Sequence, residues 1–325
     1  MEPALIDTAR CNMKYMAALI FAACFLLPHV AQAGTAARPL KARVRMASLE
    51  AKRMIELERK LCKEKGIDCG EVESIFSDPR LVIHEPPPPT PPPTPGKPPR
   101  GNPYLSVHFG LLTDVSLERC ATFYAAHAKA FALALANYGV PKEPICGILR
   151  IETNFGMPAG KTKRPLGSRP AINALVSLYV RRTTGKRQKF AFEQIKALLR
   201  IVNTLGPGSV LGKELGRKPD IFDVPGSVTG AIGLMQFEPS SFGAARDGNG
   251  DGVIDPFDSD DAIVSIAHYL VTRGWDGNRR HEERAVWLYY GTGDRHKYYP
   301  TAVFKYAAAA QQYFVNHPPT QKSAI

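Results

Sequence analysis

The chain has 325 residues and a formal net charge of +12 at pH 7, and its length suffices for one sizeable domain with additional short segments. A net positive charge of this size favours an anionic surface or polymer as a partner. No zinc-finger, RNA-recognition or homeodomain signature accompanies the charge, so we expect no nucleic-acid partner.

Residues 1–33 have the features of a cleaved signal peptide. Arg10 and Lys14 precede a short apolar stretch, and the sequence Ala-Gln-Ala before Gly34 is typical of a cleavage site. The apolar stretch is too short to span a membrane with ordinary flanks. We therefore predict an exported protein from which residues 1–33 are removed.

Two segments of unusual composition follow the signal peptide. Residues 34–84 are charged and helix-prone, and a partial apolar stripe between Met46 and Leu61 predicts one amphipathic helix. Residues 85–103 are rich in proline and predict an extended polyproline II linker. Either segment could bind a protein partner; the alternative is a structural appendage followed by a plain linker.

Four cysteines remain after removal of the signal peptide, and export to an oxidising compartment allows two disulfides. Cys62 and Cys69 enclose a short loop that contains a glycine, so this pair can close. In a simple helical hairpin, Cys120 and Cys146 would lie roughly 20 Å apart, so their pairing requires a steep helix crossing.

Residues 104–325 have the length of one domain, and their pattern is mostly helical. Ser116 is a suitable N-cap for a helix that ends before Gly139, and Pro141 is suited to open the helix that carries Glu152. Strand signals are weak. Further helices are predicted at Ala171–Arg182, Ala191–Leu205, Pro239–Ala245, Asp260–Arg273, Glu282–Tyr290 and Pro300–Val315.

Residues 153–192 contain nine lysines or arginines and neither aspartate nor glutamate. This basic strip directly after Glu152 could line a groove for an anionic polymer. The alternative is a solvated basic face.

Glu152 lies on the apolar face of its predicted helix. Helical spacing puts Ile145, Ile148, Leu149 and Phe155 on the same side. A carboxyl in apolar surroundings has its charged form disfavoured, so its pKa should rise towards the range of a general acid. The alternative interpretation is a structural ion pair or a solvated glutamate at a helix end.

A glycine-rich segment with polar side chains follows at residues 227–241. Gly230 and Gly233 let the backbone approach a ligand closely, and Gln236 can donate and accept hydrogen bonds to sugar hydroxyls and amides. This motif is weak by itself.

Residues 247–258 have the spacing of an EF-hand calcium loop, in which Gly252 at position six makes the sharp turn. Position twelve is aspartate rather than the usual glutamate, which predicts modest affinity. The alternative is an acidic surface turn. The predicted calcium ligands are Asp247, Asn249, Asp251, the carbonyl of Val253, Asp255 and Asp258.

These motifs together resemble the family-three lytic murein transglycosylases of the membrane-bound lytic transglycosylase B type. The similarity extends from about Met54 to Gln311. It is clear in Tyr-Gly-Val-Pro at 138–141 and Ile-Leu-Arg-Ile-Glu-Thr-Asn-Phe-Gly at 148–156. It is clearest in Gly-Ala-Ile-Gly-Leu-Met-Gln-Phe-Glu-Pro-Ser-Ser at 230–241, with the EF-hand-like loop shortly after. The resemblance implies a mainly α, lysozyme-like (goose-type) helical catalytic domain with an inserted EF-hand-like calcium loop.

The resemblance also implies roles for individual residues. Glu152 matches the family's catalytic acid and base, and Ser227 and Gln236 match its substrate-binding serine and glutamine. Three tyrosines match substrate-binding positions, although the second stands where the family has asparagine: Tyr289, Tyr290 and Tyr299. A further departure is Glu238, at a position where an apolar residue is expected.

The implied reaction is cleavage of the β-1,4 bond between MurNAc and GlcNAc in peptidoglycan glycan strands, with formation of a 1,6-anhydro sugar. A single glutamate would act first as acid and then as base, calcium would be structural, and the location would be periplasmic. Two alternatives stay open: a hydrolytic, lysozyme-like muramidase that uses Glu238 or another acid, and a non-catalytic wall-binding or secretion-assembly protein.

Overall fold

A computed structural model describes residues 40–85, 101–158, 166–181, 185–291 and 297–317 of the chain. The predicted signal peptide and most of the predicted linker lie outside these residues. The described part folds into eleven α-helices: α1 Leu40–Leu61, α2 Cys69–Ser77, α3 Asp114–Ala126, α4 Ala128–Tyr138, α5 Lys142–Thr153, α6 Ala171–Arg181, α7 Gly185–Thr204, α8 Val210–Leu215, α9 Ser259–Thr272, α10 Arg279–Tyr290 and α11 Tyr299–Asn316.

The helix expected from Ser116 to Tyr138 is interrupted. His127 lies between α3 and α4, where it has non-helical backbone angles and its side chain pairs with Asp260 on α9 at 2.7 Å. The N-cap is Thr113, whose hydroxyl accepts the N–H of Ser116, so the prediction of Ser116 as the cap was wrong. A side-chain oxygen at the position before the first turn satisfies a free backbone donor there.

Two helices were not predicted. Asp68 is the N-cap of helix α2, where its carboxylate accepts the N–H of Gly70, and Ser209 is the N-cap of helix α8, where its hydroxyl accepts the N–H of Gly212. Both are short, and their burial against other elements rather than their local pattern stabilises them.

The helices pack around two clusters of buried apolar side chains. The first cluster contains residues of α3, α4, α5, α9, α10 and α11, and the second contains residues of α1, α2, α6 and α7. Leu57 and Leu61 of α1 are buried in the second cluster, so this part of the predicted N-terminal segment contributes to the hydrophobic core. The division of the chain at residues 85–103 stays a prediction.

The glycine-rich segment runs between the two clusters. A short antiparallel ladder precedes it, with strand β1 (Arg169–Pro170) paired to strand β2 (Pro225–Gly226). Ile232 belongs to the second cluster, whereas Leu234, Met235 and Phe237 belong to the first. A 3₁₀ helix at Pro239–Ala244 follows and packs against α7.

The structure contains one of the two predicted disulfides. Cys62 and Cys69 are bonded. Cys120 and Cys146 are free thiols, both fully buried, and their side chains contact each other between α3 and α5. Helices α3 and α5 therefore do not form the simple hairpin for which a separation of roughly 20 Å is expected. Burial raises the pKa of the Cys146 thiol well above its ordinary value.

Replacing both Cys62 and Cys69 by serine should lower the free energy of unfolding by about 2 kcal/mol, because the disulfide closes a short loop in the unfolded chain. Urea unfolding with and without reductant measures the effect. Reductant should bring the wild type to the stability of the double variant and leave the variant unchanged; an equal loss in both would contradict the assignment.

No helix within the described ranges is both long enough and apolar enough to cross a lipid bilayer.

Candidate active site

Glu152 lies in the last turn of α5, where the chain leaves the helix through a strained backbone. Asn154 and Phe155 have φ values of 53° and 59°, in the left-handed region that non-glycine residues rarely adopt. The hydroxyl of Thr153 donates to the carbonyl of Leu234 at 3.0 Å and fixes the end of α5 to the glycine-rich segment. Such strain persists only where surrounding contacts hold it, and it is concentrated at functional sites.

The carboxyl of Glu152 has the electrostatics of an acid that titrates near neutrality. Burial raises its pKa to about 7, and the hydrogen bond from Tyr299 acts in the opposite direction. The Tyr299 hydroxyl donates to Oε1 of Glu152 at 2.5 Å, and the tyrosine itself is fully buried. A carboxyl with a pKa close to the working pH can both give and take a proton.

Glu152 lines a cleft of about 710 Å³. Both polar and apolar side chains line the cleft, and two of the apolar ones, Phe190 and Val228, are exposed. The predicted site residues Ser227, Gln236, Tyr289 and Tyr290 line the same cleft, so the fold brings together residues far apart in sequence. The other lining residues are Leu178, Arg187, Thr229, Ala231, Phe237, Glu238, Ser241, Tyr269, Leu288 and Gly291.

Two glycines allow the segment at 230–236 to lie against its neighbours. A Cβ on Gly230 would lie 2.4 Å from the side chain of Leu175, and one on Gly233 would lie 2.1 Å from the carbonyl oxygen of Pro256. Gln236 has a φ of 50°, and its side-chain amide donates to the carbonyl of Gly233 at 2.9 Å. The segment therefore holds Gln236 at the cleft in one defined conformation.

Ser227 lies in a tight turn just after β2. Its hydroxyl oxygen accepts the N–H groups of Thr229 at 3.2 Å and of Ala231 at 3.0 Å. The same oxygen lies 3.1 Å from the hydroxyl oxygen of Thr229. These contacts fix the direction in which the serine faces the cleft.

The three predicted tyrosines form a stack beside Glu152. The ring of Tyr299 lies 4.9 Å from that of Tyr290 and 6.4 Å from that of Tyr289, measured between centroids. The hydroxyl of Tyr289 donates to the carbonyl of Met235 at 2.6 Å and so supports the residue before Gln236. Tyr299 does not line the open cleft but acts on Glu152 directly.

Glu238 is a second carboxyl group in the cleft. Burial raises its pKa to about 7, and its Oε1 accepts a hydrogen bond from the hydroxyl of Thr229 at 3.2 Å. Its Oε2 is buried and has no hydrogen-bond partner among the described residues. The sequence marked Glu238 as a departure from the expected apolar residue and as a candidate acid for the hydrolytic alternative, and gave no role to Thr229.

Among its described residues, the basic strip contributes one basic side chain to the cleft. Arg187 of α7 is exposed and lines the cleft. Part of the strip, residues 159–165 and 182–184, lies outside the described residues.

The predicted calcium loop is held by hydrogen bonds from its own backbone. The carboxylate of Asp247 accepts the N–H groups of Gly250 and Gly252, Asn249 accepts that of Asp251, and Asp251 accepts that of Val253. These turns leave oxygen atoms of three side chains on one short loop, which is a donor set of the kind calcium prefers.

Two predicted ligands have additional roles. Asp255 is buried, and its two oxygens accept the N–H groups of Val210 and Phe257. Asp258 is the N-cap of α9. Among the described residues, no three carboxylate groups of the loop have oxygens that all lie within 4.8 Å of one another. The group whose ligand atoms do is Cys62, Cys69 and Glu73, and its two cysteines are disulfide-bonded.

Asp261, which the sequence did not single out, joins the two ends of the loop. It is fully buried, and its carboxylate accepts the N–H groups of Gly248 and Asp255 at 2.7 Å each. Burial raises its pKa to about 6. Its position three residues after Asp258, in the first turn of the following helix, is the signal that could have identified it.

The loop is coupled to the cleft through one backbone contact. The N–H of Leu234 donates to the carbonyl of Pro256 at 3.0 Å, close to where Gly233 meets the same residue. The loop thus supports the segment that carries Gln236 and does not itself line the cleft.

The fold is mainly helical, with two carboxyl groups in one cleft, and it matches the fold of the SLT lytic transglycosylases. Residues 51–287 match the family described as the transglycosylase SLT domain, and the chain belongs to this family. The predicted fold class and the predicted family relationship are confirmed.

The relatives agree with this assignment. The chain is 28% identical over 222 residues to the membrane-bound lytic murein transglycosylase B of Escherichia coli strain K12, an alignment that covers 66% of this chain and 55% of the relative. The chain thus spans about half the length of that protein.

Two solved structures show the same fold. The catenated lytic transglycosylase SltB1 from Pseudomonas aeruginosa matches with a TM-score of 0.62 and 20% identity, over 80% of this chain and 97% of that chain. The calcium complex of the Escherichia coli lytic transglycosylase Slt35 matches with a TM-score of 0.60 and 18% identity, over 81% and 94% of the two chains.

Proposed function

We propose that the protein is a lytic transglycosylase that cleaves the β-1,4 bond between MurNAc and GlcNAc in peptidoglycan and forms 1,6-anhydro-MurNAc. The observation that carries the proposal is Glu152, a cleft carboxyl whose pKa is raised to about 7 and which is held by Tyr299. The protein's family, described as a transglycosylase domain, supports the reaction class.

In the first half of the reaction, protonated Glu152 donates its proton to the glycosidic oxygen as the bond to C1 breaks. The acetamido group of MurNAc stabilises the positive charge that develops at C1, and Ser227 and Gln236 hold that group in position. The hydrogen bond from Tyr299 stabilises the carboxylate that Glu152 becomes.

In the second half, ionised Glu152 takes the proton of the C6 hydroxyl, and the C6 oxygen forms a bond to C1. Glu152 is then protonated again, and no water is consumed. A single carboxyl with a pKa of about 7 is populated in both forms near neutral pH, which suits it to both steps.

Hydrolysis is a second candidate because Glu238 is a further carboxyl in the cleft. Many glycosidases use two carboxyl groups, one as acid and one as base or nucleophile. If Glu238 activated water, each cut would leave a reducing end in place of an anhydro end.

Digestion of purified peptidoglycan followed by reduction and mass analysis separates the two candidates. We expect anhydro ends, which resist reduction and are lighter by one water than reducing ends. Reducing ends on most products would contradict the transglycosylase assignment and support hydrolysis.

We also propose that the loop at 247–258 binds calcium. The donor set fits this ion, since the oxygens on Asp247, Asn249, Asp251 and Asp258 and the carbonyl of Val253 are hard ligands in EF-hand spacing. Calcium there would rigidify the loop and, through the Pro256–Leu234 contact, the segment that carries Gln236. Asp255 is buried, and one of its oxygens accepts the N–H of Val210 outside the loop, so its part would be indirect.

Calcium should stabilise the protein against heat, by about 2.7 kcal/mol when its concentration is a hundred times the Kd. Asp251→Asn should reduce this gain, because it removes one charge while its amide oxygen still accepts the N–H of Val253. Calorimetric unfolding with calcium and with chelator measures both. Glu214→Gln, which removes an exposed charge outside the loop, is the matched control, and an equal gain in the two variants would contradict the site.

A periplasmic location follows from this proposal, since peptidoglycan is reached there after export. Fractionation of cells and the mass of the mature N-terminus test it, with cleavage after residue 33 expected.

A further inference from the structure

Three side chains in the cleft form a continuous chain of hydrogen bonds. The hydroxyl of Thr229 donates to Oε1 of Glu238 at 3.2 Å, and the hydroxyl oxygens of Ser227 and Thr229 are 3.1 Å apart. All three residues line the cleft that contains Glu152. The role of Ser227 in binding glycan is part of the proposed function, on which the following argument rests.

The acceptor capacity of Ser227 is already used. A hydroxyl oxygen has two lone pairs, and the N–H groups of Thr229 and Ala231 donate to this oxygen at 3.2 Å and 3.0 Å. The hydroxyl proton is therefore the part of the Ser227 side chain that remains for a ligand.

When Glu238 is ionised, the hydroxyl proton of Ser227 is also engaged in a hydrogen bond within the protein. A carboxylate can only accept, so the hydroxyl of Thr229 must donate to Glu238. The contact between the two hydroxyls then requires Ser227 to donate to Thr229. Both hydroxyl protons lie within the chain of hydrogen bonds, and neither faces the cleft.

When Glu238 is protonated, the chain of hydrogen bonds contains one more proton. The carboxyl can donate its own proton to Thr229, and a single proton suffices for the contact between Thr229 and Ser227. Because both lone pairs of Ser227 are occupied, Ser227 still donates to Thr229, and the hydroxyl proton of Thr229 is released and can bind an acceptor such as an acetamido carbonyl or a ring oxygen.

We propose that Glu238 is a positioning residue that acts through Thr229: its proton decides whether the Ser227–Thr229 pair presents a hydrogen-bond donor to the glycan. Glycan binding is then stronger in the protonated state, independently of the proton that Glu152 uses in the reaction.

The surroundings of Glu238 allow it to titrate in the working range. Burial raises its pKa to about 7, and its Oε2 is buried without a partner among the described residues. The charged and titratable groups that share the cleft come from four elements: Glu152 of α5, Arg187 of α7, Tyr269 of α9, and Tyr289 and Tyr290 of α10.

The test uses the Glu152→Gln protein, in which the glycan is not cleaved and the second titrating carboxyl is absent. Calorimetry measures the Kd for uncrosslinked glycan-strand fragments of peptidoglycan across the pKa of Glu238, which is about 7. We expect the Kd to rise about three- to tenfold from acid to alkaline pH, the effect of losing one neutral hydrogen bond.

Variants of Glu238 and Thr229 test whether the pH dependence arises from their hydrogen bond. Glu238→Gln cannot ionise and Thr229→Val breaks the chain with little change of volume, so each should give a Kd independent of pH. Thr229→Ser restores the hydroxyl and should restore the pH dependence. Thr229 is exposed, so these substitutions do not disturb the core.

Two results would overturn the proposal. One is a Kd that is already independent of pH when Glu238 and Thr229 are intact, and the other is a pH dependence that persists in Thr229→Val. Failure of the proposed function is distinguishable, because a protein that neither binds nor cleaves the glycan at any pH contradicts that function as a whole.

Discussion

Glu152→Gln is expected to lower kcat on peptidoglycan by at least about a thousandfold. General acid and general base catalysis each contribute roughly 10²–10⁴ in rate, and here the same carboxyl supplies both. The amide cannot give or take the proton, yet its oxygen can still accept the hydrogen bond from Tyr299. Release of soluble fragments from purified peptidoglycan measures the rate, and thermal unfolding confirms that the variant is folded.

Tyr299→Phe is the matched control for this experiment, because it keeps the carboxyl and removes its partner. The hydrogen bond from Tyr299 lowers the pKa of Glu152, so its loss should raise that pKa above about 7. Activity requires protonated Glu152 and falls as pH rises through the pKa, so the alkaline limb of the kcat profile should move to higher pH. A Glu152→Gln variant within tenfold of the wild type would contradict the assigned role.

Gly233→Ala should destabilise the protein by roughly 3 kcal/mol and reduce activity with it. A non-glycine residue in the left-handed region costs about 1–2 kcal/mol, and forcing an atom into a packed position costs about 1–3 kcal/mol more. Gly233 has a φ of 74°, and its added Cβ would lie 2.1 Å from a backbone oxygen of Pro256. Relief of this clash must displace the segment that carries Gln236.

Gly277→Ala separates the two contributions. Gly277 has a φ of 87°, but an added Cβ meets nothing within 4 Å, so only the conformational cost applies. Chemical unfolding should show a loss of about 1 kcal/mol for this control, with activity retained. Equal losses for Gly233→Ala and Gly277→Ala would show that the close approach to Pro256 is unimportant.

The sequence was sufficient for the parts of the site that depend on local patterns. The apolar face around Glu152 predicted helix α5 and the raised pKa. The glycines at 230 and 233 predicted a closely approaching backbone, and in the structure they pack tightly against Leu175 and Pro256. Helices α6, α9 and α11 were predicted to within one residue at each end because their apolar periodicity is regular. The grouping of Ser227 and Gln236 with Glu152 came from family resemblance rather than from periodicity.

Features that depend on distant contacts were not predictable in this way. The break at His127 is fixed by its pairing with Asp260, which lies 133 positions away. Asp261 became important only because the fold places the N–H groups of Gly248 and Asp255 at its carboxylate. The unpartnered oxygen of Glu238 likewise exists only in the folded cleft, so no local pattern could reveal it.

Digestion of peptidoglycan in water enriched in oxygen-18 tests the central proposal most directly, because the transglycosylase and hydrolase reactions differ in whether water enters the product. If Glu152 acts as acid and then as base on the C6 hydroxyl, the new ends should be anhydro sugars that carry no oxygen-18. Incorporation of one oxygen-18 atom at each new end would contradict this account and assign water activation to the cleft.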